Sequence, residues 1–101
     1  VTDHKVGGRV IAHVIHGGKA EKVVCDAALA FPLGVGADYD AAAAMGLAYL
    51  TAFIALTRRG QLKEGDVVQI NGAAGGVGLA SVSLARALGA KTVLAGLTTP
   101  S

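Results

Sequence analysis

Gly72-Ala73-Ala74-Gly75-Gly76-Val77-Gly78 (residues 72–78) stands between an apolar run, Val67-Val68-Gln69-Ile70-Asn71, and a stretch of small residues from Leu79 to Leu88. The apolar run suits a strand covered on both faces, although Gln69 needs a partner for its amide if it is buried. The small residues suit a helix, closed by Gly89 at its C-terminal cap. Lys91 to Leu97 (KTVLAGL) is then a second strand. Strand, glycine turn, helix and strand make one βαβ unit, for which a right-handed crossover is expected.

Within the turn, Gly75 and Gly78 fill the second and third positions of a G-x-G-x-x-G fingerprint. Ala73 holds the first, and Gly72 adds a flexible point upstream. Such a turn leaves the strand sharply, lets a pyrophosphate approach bare backbone, and packs helix closely on strand. Gly75 supplies the close approach and Gly78 the packing contact. The N–H groups around Gly76 and Val77 then face an anion at the positive end of the helix. A glycine-rich turn that binds nothing is the plainer alternative. A nucleoside-triphosphate loop is excluded, because no Gly-Lys-Ser/Thr follows.

A site for NAD places a carboxylate ~20 positions beyond the glycines, on the ribose 2′-hydroxyl. Counting on reaches Leu97-Thr98-Thr99-Pro100-Ser101, which has none. Hydroxyls at Thr98, Thr99 and Ser101 can bond a 2′-phosphate without repelling it, which favours NADP(H). An ordinary turn after a strand accounts for the same residues, Ser101 above all.

Upstream, Asp40 is expected to cap a helix that runs through Ala41–Ala44 to Thr57, bent near Gly46. Arg58-Arg59-Gly60 ends it, the cations complementing the helix dipole and Gly60 suiting a left-handed cap. Ala41 to Leu56 is almost wholly apolar but short of the ~20 residues a bilayer needs. A helix apolar all round is more often buried between layers of a larger protein, so no membrane span is expected. The first third reads as extended segments: Arg9 to Ile15 between Gly7-Gly8 and Gly17-Gly18, then Ala20 to Cys25, then Ala28 to Phe31 ending at Pro32. Together they suggest an antiparallel set with members missing.

Composition narrows the function classes. The chain has 101 residues, 52% hydrophobic and only 16% charged, with one cysteine. That apolar content excludes disorder, and the lone Cys25 excludes a disulfide-stapled module. Nine Lys/Arg against seven Asp/Glu give +2 with no basic run, and four aromatics offer little for base stacking, so no nucleic-acid partner is expected. The single free cysteine and the lack of a targeting pattern favour a cytoplasmic setting. The opening Val1-Thr2-Asp3-His4 reads like a cut through a longer chain. The excess of apolar residues suggests that a missing half or a partner covers surface left open.

The strings KVGGRV (5–10), HGGKAEKVVCDAALAFPL (16–33) and GLAYLTAFIALTRRGQLKEGDVVQINGAAGGVGLASVSLARALGAK (46–91) resemble the medium-chain dehydrogenase/reductase superfamily. The branch they resemble is the zinc-free quinone oxidoreductases related to zeta-crystallin. The resemblance covers essentially the whole chain and implies NADPH-dependent reduction of a quinone or another electron-poor double bond. It implies an α/β fold: residues 1–35 as the end of a GroES-like catalytic domain, residues 36–101 as linking helices and the first βαβ unit of a Rossmann domain. A homo-oligomer is implied as well. Gly75, Gly76, Val77 and Gly78 match the family's pyrophosphate turn. Thr51 matches a threonine placed against the nicotinamide, with a hydroxyl bonded back to its own helix as the plainer alternative. The chain departs from the family at Lys19, where an aromatic is common, and at Gly8, where an aspartate is. Gln69 and Ser83 are also unusual.

No metal is expected. His13 and His16, three apart on a strand, point to opposite faces, and Cys25 is a small core hydrophobe. No catalytic side chain is assigned, since hydride transfer needs the cofactor positioned and water excluded. Besides a reductase, two further readings stay open. One is a chain that binds a dinucleotide without catalysis, the other a structural piece that self-associates through its sheet edge.

Overall fold

A computed structural model describes residues 4–98. Thr99 and Ser101 lie outside the described residues. The chain divides into two compact units, Val1–Gly46 and Leu47–Ser101.

In the first unit, strands β1 (Val10–Ala12) and β2 (Ala30–Pro32) pair antiparallel, Ile11 opposite Phe31. His13 N–H to Leu29 O and Leu33 N–H to Arg9 O, each 2.9 Å, extend the ladder at its two ends. The antiparallel set is therefore real but much smaller than the sequence suggests. β1 is three residues long, and Ala20–Cys25 forms no strand. Val23 and Val24 are neighbours, so they fall on opposite faces of any strand, and Val24 is 98% exposed. Ala28 and Leu29 belong to a 3₁₀ turn, Ala27–Leu29, whose start is capped by Asp26 Oδ1 accepting from the Ala28 N–H at 2.9 Å.

Helix α1 (Tyr39–Phe53) passes through Gly46 without a break and continues as a π-helical stretch, Ile54–Arg59. Its cap is Asp38 rather than Asp40. The Asp38 carboxylate accepts from the Asp40 N–H at 3.2 Å, and its carbonyl accepts from Ala42 at 3.0 Å. Asp40 lies inside the first turn, where its charge still favours the dipole. Arg9 donates to Ala37 O just before the helix, and its guanidinium lies 4.1 Å over the Tyr39 ring. The helical stretch Tyr39–Arg59 spans 21 residues at a mean hydropathy of 1.5, so by length and composition it can cross a bilayer. The sequence count covered the sixteen residues Ala41–Leu56; Tyr39, Asp40 and Thr57–Arg59 bring the helical stretch to 21. Nor is it enclosed within this chain, since only Ala52 and Leu56 are buried along it.

Gly60 ends the helix differently from expectation. Its φ is −80°, and the left-handed residue is Gln61 at +47°. The Gly60 N–H bonds Ala55 O at 2.7 Å and the Leu62 N–H bonds Leu56 O at 2.9 Å, reaching back five and six residues where an α-helical bond reaches back four. A Cβ at Gly60 would stand 3.0 Å from Ala55 O, so glycine serves close approach there, and the turn falls to the next residue. A left-handed non-glycine residue costs ~1–2 kcal/mol, against ~0.5–1 kcal/mol of entropy that a glycine loses on folding. Gln61→Gly is therefore expected to stabilise the chain by about 0.5–1 kcal/mol. Thermal unfolding would show this as a midpoint raised by a few degrees, and a lowered midpoint would mean that the Gln61 side chain holds the turn.

The second unit is the βαβ unit. β3 (Val67–Asn71) and β4 (Thr92–Gly96) pair in parallel, from Val67 opposite Thr92 to Asn71 opposite Gly96. Helix α2 (Gly76–Ala87) joins them, starting three residues earlier than Leu79, and Gly89 beyond it takes the expected positive φ of +94°. The core is Leu56, Ile70, Ala73 and Ala85, with Val68 and Val93 packed against it. At the start of the strands, the Lys63 N–H bonds Asp66 Oδ2 and the Lys91 N–H bonds Asp66 O, both at 2.8 Å. One face of β3 is open in this chain: Val67, Gln69 and Asn71 are exposed, in contrast to the two-sided cover its composition suggests.

Candidate functional site

The glycine turn sits at the carboxyl ends of the two parallel strands, where open α/β sheets hold their ligands. Gly72 leaves β3 with φ +68°, a conformation that suits glycine. The sharp turn thus falls on Gly72, one residue before the Ala73 that the fingerprint marks. Ala73 is buried, and its N–H bonds Gly96 O at 3.0 Å, stitching the turn to the end of β4. The Gly75 N–H returns to Gly72 O at 3.1 Å, and Gly75 is the N-cap of α2, with no side chain to bond the helix end.

The first helical bond is Leu79 N–H to Gly75 O, 2.8 Å. Gly76, Val77 and Gly78 precede it in the helix, so their N–H groups have no acceptor within it. They are the positive end of α2, a set of donors suited to a phosphate oxygen. Each glycine plays a separate part. A Cβ on Gly78 would strike Gly72 O and come 2.7 Å from Ala73 Cα, so Gly78 is the packing contact between helix and turn. At Gly75 a Cβ would meet only Gly72 O at an ordinary 3.5 Å, and at Gly76 nothing within 4 Å. The space beside Gly75 and Gly76 is open to a ligand. Gly78, Ser81 and Ala85 are buried along one side of α2, and the Ser81 hydroxyl bonds back to Val77 O at 2.7 Å. These residues fit the pyrophosphate of a dinucleotide: bare backbone, free donors and no carboxylate between Gly72 and Gly78.

Other residues singled out in the sequence are placed less tightly. Thr98 is exposed two residues beyond β4, at the same end of the sheet as the turn. Thr51 is exposed, and its hydroxyl donates to Leu47 O at 2.9 Å within its own helix. Among the described residues no hydrogen bond joins Thr51 to the turn. Sequence reasoning gave Gly72 only as a flexible point upstream of the fingerprint; its position immediately after the strand was the signal that the sharp turn falls there. Sequence reasoning passed over the bond that Gln69 makes, from Nε2 to Asn71 Oδ1 at 3.1 Å.

His13 and His16 do not lie on opposite faces of one strand, because β1 stops at Ala12. Both line one open cleft of about 350 Å³ in the first unit, with Cys25 and Asp26. The His13 ring meets Phe31 edge-on, centroids 6.0 Å apart. Among the described residues no group of three or more His, Cys, Asp or Glu is placed to hold a metal ion.

No family model matches the chain. A mycocerosic acid synthase-like polyketide synthase of Mycolicibacterium smegmatis is 43% identical over 91 residues, 90% of this chain and 4% of that protein. A quinone oxidoreductase of Sus scrofa is 37% identical over 94 residues, 92% of this chain and 29% of that protein. Among solved structures, the quinone oxidoreductase of Thermus thermophilus, also crystallised with NADPH, matches with a TM-score of 0.81 and 39% identity. That match covers 93% of this chain and 31% of the Thermus chain. The CurK enoyl reductase matches with a TM-score of 0.82 and 30% identity, over 94% of this chain and 28% of that one. The chain thus spans under a third of these reductases and a small fraction of the polyketide synthase.

Proposed function

Since this chain is homologous to quinone oxidoreductases and enoyl reductases of the medium-chain dehydrogenase/reductase superfamily, a small part of which it covers, we propose that it supplies the pyrophosphate turn of an NADPH-dependent reductase. The observation that carries this reading is the run of free N–H groups at Gly76, Val77 and Gly78, beside glycines that leave the space in front of them open. Gly75 and Gly76 admit the diphosphate, Gly78 seats the helix, and Thr98 would offer its hydroxyl to the 2′-phosphate. Thr51 would turn its hydroxyl from Leu47 O to the nicotinamide side. On this reading residues 1–35 close a GroES-like catalytic domain, and 36–101 are linking helices and the opening of a Rossmann domain. The Tyr39–Arg59 helix is then a linking helix, not a bilayer span. The setting we propose is a cytoplasmic homo-oligomer.

When bound, NADPH would supply a hydride, two electrons and one proton, to an electron-poor carbon conjugated to a carbonyl and would leave as NADP+; a second proton, drawn from solvent, would complete the reduction. The chain's own part is to hold the diphosphate and thereby fix the nicotinamide's reach. Quinones and enones share that conjugated acceptor. The likeness to the CurK enoyl reductase, beside the 43% identity to a polyketide synthase, supports a second form of it, an enoyl thioester.

Amide shifts during titration with NADPH and NADH test the turn. Saturable shifts at residues 75–78, stronger with NADPH and reaching Thr98, are expected. A folded protein whose turn amides stay still would sink the reading. Turnover with a quinone and with an enoyl thioester, by a full-length reductase that carries this segment, then separates the two acceptors; the 101-residue chain alone is expected to be inactive.

A further inference from the structure

The face of β3 that α2 leaves uncovered carries a polar pair. Gln69 and Asn71 are two residues apart, so they share a face of the strand, and both are exposed. Gln69 Nε2 donates to Asn71 Oδ1 at 3.1 Å. Asn71 is the last residue of β3, directly before Gly72, and Gly96 opposes it across the ladder. A Cβ on Gly96 would come 2.9 Å from Asn71 Oδ1. Two neighbours therefore place one carboxamide: Gln69 through a hydrogen bond, Gly96 by leaving room.

With Oδ1 engaged, Asn71 Nδ2 retains two N–H donors, and among the described residues no hydrogen bond uses them. Asparagine is depleted in strands, so β3 gains nothing from it as a strand former. Its place does suit ligand contact, since it ends a parallel strand at the carboxyl edge of the sheet, one residue before the glycine turn. Gln69 also favours one end of the amide: by bonding Oδ1, it leaves the two Nδ2 donors available.

We propose that Asn71 donates a hydrogen bond to a phosphate or ribose oxygen of the dinucleotide, with Gln69 and Gly96 as its positioning residues. This rests on the reading of the glycine turn as a dinucleotide site. Equilibrium NADPH titrations followed by nucleotide fluorescence, with thermal unfolding of each variant alongside, test it. Asn71→Ala is expected to weaken binding about 5- to 10-fold, the loss of one hydrogen bond. Gly96→Ala keeps Asn71 but crowds its Oδ1, and should weaken binding by several-fold. In an Asn71→Ala background the same Gly96→Ala change should have no further effect, which a merely structural role for Gly96 would not produce. Asn71→Asp should cost more than Asn71→Ala, and the difference should shrink in high salt.

An Asn71→Ala protein with the parent's affinity, where Gly75→Val has lost it, overturns the role of Asn71 and leaves the turn standing. A Gly96→Ala effect undiminished without Asn71 overturns the positioning. A folded parent that binds no NADPH overturns both this assignment and the reading it rests on.

Discussion

Gly78→Ala is expected to destabilise the βαβ unit by about 3 kcal/mol or more. The added methyl would strike Gly72 O and stand 2.7 Å from Ala73 Cα, both backbone atoms. Neither can swing aside, because Gly72 O accepts from Gly75 and Ala73 donates to Gly96 O. Overpacking of a core costs ~1–3 kcal/mol where side chains can adjust, and a clash with a hydrogen-bonded backbone lies at or above that range. Small domains hold ~5–15 kcal/mol in all, so one methyl removes a large share of the margin. In thermal unfolding the midpoint should fall by about 12 °C or more for a chain of this size. A variant that melts with the parent would show that α2 backs away from the turn without cost.

Gly75→Val should do the reverse. Gly75 has φ −77° and ψ 166°, extended backbone open to any residue, and a Cβ there meets only an oxygen at 3.5 Å. Neither backbone angle nor space requires glycine at this position, and valine gives up only a modest N-cap preference. The requirement comes from what approaches the turn, and a valine side chain would occupy the place of the diphosphate. NADPH affinity is expected to drop at least about 100-fold while the unfolding midpoint stays near the parent's. Calorimetric titration of the folded variant measures it, and unchanged affinity would remove the turn's assigned role. Two glycines three residues apart thus separate stability from binding.

The contrast shows what was legible in the sequence. From Val67 to Gly96 the signals are local and agree with one another: an apolar run, a glycine cluster, small residues and a second apolar run. The parallel pair and its helix follow from them. Where expectation and structure part, the deciding contact lies outside the local pattern. Asp38 and Asp40 are equally good caps by residue type, and the difference is which one precedes the turn in which Ala42 N–H finds a carbonyl. Gly60 looks like a left-handed cap until the π-helical turn brings Ala55 O and Leu56 O too near for a side chain, which passes the turn to Gln61. Ala20–Cys25 has strand-forming residues but no alternation, and among the described residues no strand pairs with it. For the site, glycine spacing pointed to Gly75 and Gly78. The work of Gly72 and the bond between Gln69 and Asn71 depend on backbone angle and strand register, which spacing alone does not express.

The parallel register of β3 and β4 carries a kinetic consequence. Every ladder pair, from Val67–Thr92 to Asn71–Gly96, joins residues about 25 apart in the chain, so loop entropy is lost before the first rung forms. Helix α2 would shorten that search by winding up the intervening segment. Yet its first turn contains Gly76 and Gly78, which weaken its tendency to nucleate alone. Strand pairing and helix winding therefore wait on each other and cross the barrier together. An anion held by the first N–H groups of α2 would seed that turn, making the ligand of the finished site a template for its assembly.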